Sequence, residues 1–279
     1  MPGRMVTDRG ALLGPGGRWG DLGLRLASAV ALASIVLVAT GLGGIVFALV
    51  WTVAALIVLI EWLRITGAHT PIVTSVGLLG VAASAALLTE PLFALAVLVV
   101  VAVIMAVAAP RSKLWALSAA PVAAVVALVP IAAYGLDRTG MVLILWLYAV
   151  VWGTDVGAYF AGRFFGGPKL WPRVSPKKTW SGAAGGTFAG ALMSLLVIAI
   201  AGRPVPIASW DIATLLAVTF LLSAAAQAGD LAESALKRAF DVKDSGRLIP
   251  GHGGLMDRLD GFWAACVVLG CALFASQQD

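Results

Sequence analysis

Apolar and polar positions divide the chain into nine long apolar runs, each closed by Gly, Pro or charge: 22–40, 44–60, 71–89, 91–109, 114–134, 141–161, 182–201, 210–228 and 261–276. Most approach the ~20 residues a helix needs to cross ~30 Å of hydrocarbon. The pattern predicts an all-α integral membrane protein of about nine transmembrane helices. The last run is short for a crossing, so its helix is expected to begin upstream, near Leu255. A polar, basic segment, 1–20, precedes the first run. That run is of spanning length and lacks a small-residue cleavage site, so the segment is expected to be retained rather than removed as a signal peptide. The expected organisation is this segment, N-terminal transmembrane helices over 21–140, and a second transmembrane region with two long inside loops over 141–279, in one membrane domain without internal repeats.

Composition sharpens this picture. Hydrophobic residues make up 61% of the 279 and mean hydropathy is +0.98, where ordinary globular chains hold about half. The net charge of +5 would point to nucleic acid in a soluble protein, but no RGG, helix-turn-helix or zinc-finger pattern supports that partner. Orientation across a membrane explains the charge better. With the N-terminus cytoplasmic and nine crossings, 17 of the 19 Lys and Arg fall inside, and only Arg138 and Arg203 outside. The C-terminus is then expected outside, and any chemistry at the cytoplasmic face of the cell inner membrane. Cys266 and Cys271, five apart in an apolar run, suit packing rather than metal or disulfide chemistry.

Candidate chemistry lies in two long inside loops. The stretch 234–260 holds four Asp, three Arg, two Lys and one His in 27 residues, in a chain only 12% charged. Charge beside hydrocarbon is costly unless it pairs, binds ions or meets a charged ligand. Asp257 and Asp260 fall one turn apart at the expected start of the last helix, behind a Gly-rich turn with His252, Gly253 and Gly254 whose N–H groups are expected to face an anion. Upstream, Gln227, Asp230, Ser234 and then Lys237 or Arg238 recur at helical spacing, one polar stripe below the membrane surface. Glu233 suits an amphipathic helix end. Oxygen-only donors, Asp230, Asp257 and Asp260, favour a hard cation such as Mg²⁺ over zinc, with room for a second cation. Lys237, Arg238, Lys243, Arg247 and Arg258 would meet phosphate charge. In the other loop, Asp155 is a carboxylate within or just under the hydrocarbon, its simplest alternative role being an ion pair with Arg163. Lys177, Lys178 and Thr179 form a cationic and hydroxyl cluster suited to a triphosphate or to anionic lipid. Trp171 and Trp180 suit interfacial anchors. Glu61, Arg64 and His69 are too scattered for an assignment. The inventory describes phosphoryl or nucleotidyl transfer at a membrane surface.

The pattern made by Ser234, Lys237, Arg238, Lys243, Asp244, Ile249, Pro250, His252, Gly253, Gly254, Asp257, Arg258 and Asp260 closely resembles the signature of the phosphatidate cytidylyltransferases, or CDP-diacylglycerol synthases. The segments DVGAYFAGRFFG from Asp155 and SPKKTW from Ser175 also look like that family's cytoplasmic loop. Ser181 departs from the pattern, since many members carry Glu there. The resemblance implies that CTP and phosphatidate give CDP-diacylglycerol and pyrophosphate with a divalent metal on Asp230, Asp257 and Asp260. Lys237 and Lys243 are the expected catalytic cations. Asp155, Lys177, Lys178, Thr179, Ser234, Arg238, His252, Gly253, Gly254 and Arg258 are expected at the substrates. Membrane lipids and a second copy of the chain, as a homodimer, are the further expected partners. The motif of the CDP-alcohol phosphotransferases is absent, and a transporter would spread its charge near mid-bilayer rather than collect it at one face. A related lipid acceptor, such as an isoprenoid ether phosphate, stays open.

Overall fold

The computed structural model describes residues 18–87, 90–110, 112–135, 139–201, 210–251 and 253–276. Its elements run α1 (Arg18–Leu42), α2 (Gly44–Ile65), α3 (Pro71–Ala86), α4 (Pro91–Ala108), α5 (Lys113–Tyr134), α6 (Gly140–Phe165), β1 (Lys169–Trp171), β2 (Ser175–Thr179), α7 (Trp180–Ala201), α8 (Ile212–Ala239) and α9 (Met256–Ser276). Each apolar run contains a helix. As the short last run requires, α9 starts ahead of it, and α8 carries its polar stripe well past the apolar part.

Among the described residues six helices, α2 and α5 through α9, are long and apolar enough to cross a membrane. The apolar parts of the other three, Leu26–Leu42, Pro71–Ala86 and Leu92–Ala108, are shorter. At 1.5 Å per residue the 16 residues of α3 reach about 24 Å, less than a ~30 Å core. The chain is an α-helical, multi-pass membrane protein, and not every helix has full spanning length.

Purely helical it is not. Part of one long inside loop forms an antiparallel hairpin, with Lys169 opposite Thr179 and Trp171 opposite Ser175. Pro168, Pro172 and Pro176 bar a helix here, because each lacks an N–H and restricts the residue before it to extended backbone. Gly166 and Gly167, at φ 62° and 97°, end α6 in a conformation that suits glycine and turn the chain into β1.

The hairpin is held in place by the close approach of α6 and α7. In lipid, helices associate through close packing rather than hydrophobic transfer, so small residues mark the seam. Gly182, Gly186, Gly190 and Ser194 are buried along one stripe of α7. A Cβ at Gly186 would fall 2.7 Å from the Thr154 carbonyl oxygen, and one at Gly157 would fall 3.0 Å from that of Gly185. Polar links run beside the seam into α8: Trp146 donates to Ser194, Thr154 to Ser223 at 2.9 Å, and Gln227 to Thr187 at 3.1 Å. On the other side of α6, Trp51 of α2 stacks on Phe262 of α9 at 4.6 Å, and Tyr148 packs beside both.

One end of the bundle gathers the described parts of the basic connections. Trp62 Nε1 donates to the Trp115 carbonyl at 3.2 Å, Trp115 meets Phe240 edge-on at 5.3 Å, and Lys178 of β2 pairs with Asp230 of α8. Arg138 and Arg203, the two basic residues expected on the far side, lie outside the described residues, as does the segment 1–17. Cys266 is buried and Cys271 exposed, and both are free.

Candidate active site

At that end a cavity of about 630 Å³ opens between α6, the hairpin, α7, α8 and α9. Of the residues singled out in sequence, Asp155, Lys177, Lys178, Thr179, Asp230, Asp257, Arg258 and Asp260 line it. Gln227 and Arg163, also named from sequence, and Tyr159 join them. The cavity therefore combines carboxylates from three helices with cations from the hairpin, α6 and α9.

One ion pair spans the cavity. Lys178 Nζ lies 2.5 Å from Asp230 Oδ2, and Ser234 Oγ sits 3.5 Å from Asp230 Oδ1. Asp155, Asp230 and Asp260 are close enough to repel one another, with Lys178 and Arg258 opposing that charge at Asp155. Asp155 makes no ion pair with Arg163 among the described residues; Arg163 Nη1 instead reaches the Tyr159 hydroxyl at 3.5 Å. Three carboxylates gathered on one cavity favour a bound cation or cationic neighbours.

Asp257 faces a different set of partners. Its Oδ1 accepts from Lys237 Nζ at 2.7 Å, while Oδ2 accepts from Ser245 N at 2.8 Å and Gly254 N at 2.9 Å. Lys237 also lies 3.2 Å from Glu233 Oε1. Lys237 is thus committed between two carboxylates behind the cavity wall rather than offered to a ligand. Glu233 is 2% exposed and belongs to this interior cluster, not to a solvated helix end.

Other expected residues stand apart from the cavity or serve the fold at its edge. Lys243 and Arg238 are exposed and do not line the cavity. Thr179 caps α7, its Oγ1 accepting from Gly182 N at 3.1 Å and sharing a 3.0 Å contact with Ser181 Oγ. Ser181 in turn donates to the Gly166 carbonyl and closes the hairpin at its base. His252 lies outside the described residues. The Gly-rich turn corrects one expectation: the N–H groups of Gly254, Leu255 and Met256 meet Asp257 and Glu61 of the chain itself, not an open anion site.

The donor set suits a hard cation, since every candidate ligand on the cavity is an oxygen. No three His, Cys, Asp or Glu side chains among the described residues converge as a closed metal cage. Mg²⁺ seldom uses one. It takes one or two carboxylates and completes its shell with water and substrate phosphate, a use that Asp230 and Asp260 fit.

Sequence alone leaves Glu61 unassigned, although it is the lone carboxylate of a long apolar helix, and such a residue is a functional candidate by default. In the structure it is 4% exposed and bonded to the segment that carries Asp257.

Residues 23–275 match the sequence model of the cytidylyltransferase family. Similar proteins bear the name phosphatidate cytidylyltransferase. That of Brucella suis biovar 1 (strain 1330) is 52% identical over 135 residues, 48% of this chain and 48% of the relative. That of Bacillus subtilis (strain 168) is 46% identical over 127 residues, 46% and 45% of the two chains. That of Staphylococcus aureus (strain COL) is 41% identical over 143 residues, 51% and 53%. The chain spans about half the length of the curated relatives it matches.

Proposed function

The chain belongs to the cytidylyltransferase family, and from that membership we propose that it transfers CMP from CTP to phosphatidate, giving CDP-diacylglycerol and pyrophosphate. One observation carries the reading: a single cavity at the basic end of a membrane bundle faces Asp155, Asp230 and Asp260 with Lys177, Lys178 and Arg258. That composition matches a polyphosphate brought to a lipid phosphate.

In this reaction a lipid phosphate oxygen attacks the α-phosphorus of CTP, the bond from that phosphorus to the bridging oxygen breaks, and pyrophosphate leaves. A phosphate monoester has a second pKa of about 6, so the nucleophile is already largely dianionic at neutral pH and needs no general base. Charge neutralisation is the main requirement. Lys177, Lys178 and Arg258 meet phosphate oxygens, with Lys178 held in place by Asp230. Asp230 and Asp260 would hold Mg²⁺, which when bound neutralises phosphate charge and the leaving group, while Asp257 beside them on the cavity has its oxygens taken by Lys237, Ser245 N and Gly254 N. Asp257 orients Lys237 and the turn from Ser245 to Gly254.

The site is proposed to face the cytoplasm across a cell inner membrane, with the N-terminus inside and the C-terminus outside. Supporting this are the 17 basic residues that the nine-crossing arrangement places inside and the gathering of the described basic connections at the cavity end.

Purified protein in vesicles containing phosphatidate, given CTP with and without Mg²⁺, tests the reaction by mass spectrometry of the lipid. CDP-diacylglycerol is expected only when lipid, nucleotide and metal are all present. Its absence from that complete mixture, with folded protein, would remove the proposal.

A further inference from the structure

Glu61 lies near the end of α2 and does not line the cavity, yet it is joined to the catalytic segment 194 residues away. Its Oε1 accepts from Leu255 N at 3.0 Å, and its Oε2 from Met256 N at 2.7 Å and from Ser245 Oγ at 3.1 Å. These contacts account for the opening of α9. A helix begins with N–H groups that have no partner within the helix. Here those of Leu255 and Met256 go to Glu61, and that of Asp257 goes to Ser245 Oγ at 3.3 Å. A carboxylate at a helix start also meets the favourable end of the helix dipole. The seat is closely fitted: a Cβ at Gly254 would fall 2.6 Å from Glu61 Oε1, and one at Gly246 2.7 Å from it.

We propose that Glu61 is the positioning residue for the active site, a cap supplied from the N-terminal half of the chain that fixes where α9 begins and so where Asp257, Arg258 and Asp260 stand. The assignment deepens the proposed cytidylyltransferase site and rests on it. Glu61 touches no substrate in this account. It acts through the first turn of α9, which gives the N-terminal helices a part in the chemistry.

Hydrogen exchange of the full-length protein in detergent, read beside steady-state kinetics, tests this with Glu61→Gln and Glu61→Ala. Glu61→Gln keeps the side chain's size but loses the charge and one acceptor. It is expected to raise exchange over 245–258 about tenfold or more while α5 and α6 stay protected. It should also lower kcat about tenfold per folded molecule, with a much smaller change in KM for CTP. Glu61→Ala should exceed both effects. Unchanged exchange over 245–258, or exchange raised equally through α2 and α5 with kcat unchanged, would overturn the assignment. The exchange reading stands whether or not the wild-type protein forms CDP-diacylglycerol, so failure of the reaction and failure of the cap are told apart.

Discussion

Lys178 Nζ and Asp230 Oδ2 are 2.5 Å apart, an ion pair that bolts the second hairpin strand to the polar end of α8. The two side chains are 25% and 34% exposed, so solvent screens them and the pair is worth only about 0.5 kcal/mol. Their charges matter more to a polyphosphate in the cavity. Lys178→Ala and Asp230→Asn should each leave thermal unfolding nearly unchanged while lowering product formation by about a hundredfold. Reversing both, Lys178→Asp with Asp230→Lys, should restore the pair but not the rate. Recovery of turnover in the double variant would mean that the pair serves structure alone.

Asp257 and Asp260 should separate by stability. Asp257 is 8% exposed and satisfies Lys237, Ser245 N and Gly254 N, so Asp257→Asn weakens charge-assisted bonds to a half-buried cation and two backbone N–H groups at a cost of about 2 kcal/mol. Asp260 accepts from Gly261 N, and Asp260→Asn should cost within about 1 kcal/mol. Both should lose activity. Thermal unfolding in detergent distinguishes them, and equal loss of stability would contradict the division between an organising carboxylate and one facing the ligand.

Substitution on the α6–α7 seam should act at a distance. Gly186→Val places side-chain atoms against Thr154 and Ala158, where even a Cβ would approach within 2.9 Å, and overpacking of this kind costs about 1–3 kcal/mol. The hairpin with Lys177 and Lys178 follows α6 and precedes α7, so activity should fall with stability. Gly41→Ala, with nothing within 4 Å of the added carbon, should be silent in both measurements.

How far the chain could be read in advance follows from what each feature needs. Helices show in sequence because one apolar run suffices for each, and even the early start of α9 follows from the shortness of 261–276 against hydrocarbon thickness. The hairpin escaped the apolar pattern because Lys169–Trp171 and Ser175–Thr179 are short and mixed, though three prolines at four-residue spacing already excluded a helix. The charged cluster from Asp230 to Asp260 is legible as chemistry, and its resemblance to a family signature narrows that chemistry. What spacing cannot give is the partner of each charge. Lys237 and Arg258 look alike in sequence, yet the first is held between Asp257 and Glu233 while the second lines the cavity. Glu61 was hidden for the same reason, its contacts being tertiary, although a single carboxylate in α2 was signal enough to ask what it meets.

Metal removal gives a further check. Chelation should abolish product formation and added Mg²⁺ should restore it, since the carboxylates lining the cavity repel the leaving pyrophosphate unless a cation stands between them. Asp230→Asn and Asp260→Asn should raise the Mg²⁺ concentration needed for half-maximal rate, and Lys243→Ala should leave it unchanged.

The most direct measurement follows two labels in CTP, one on the α-phosphate and one on the γ-phosphate, through a single incubation with phosphatidate and the purified protein. Nucleotidyl transfer predicts that the α-label enters the lipid and the γ-label leaves as pyrophosphate. Appearance of the γ-label in the lipid, or of neither label, would contradict the assignment of this cavity to cytidylyl transfer.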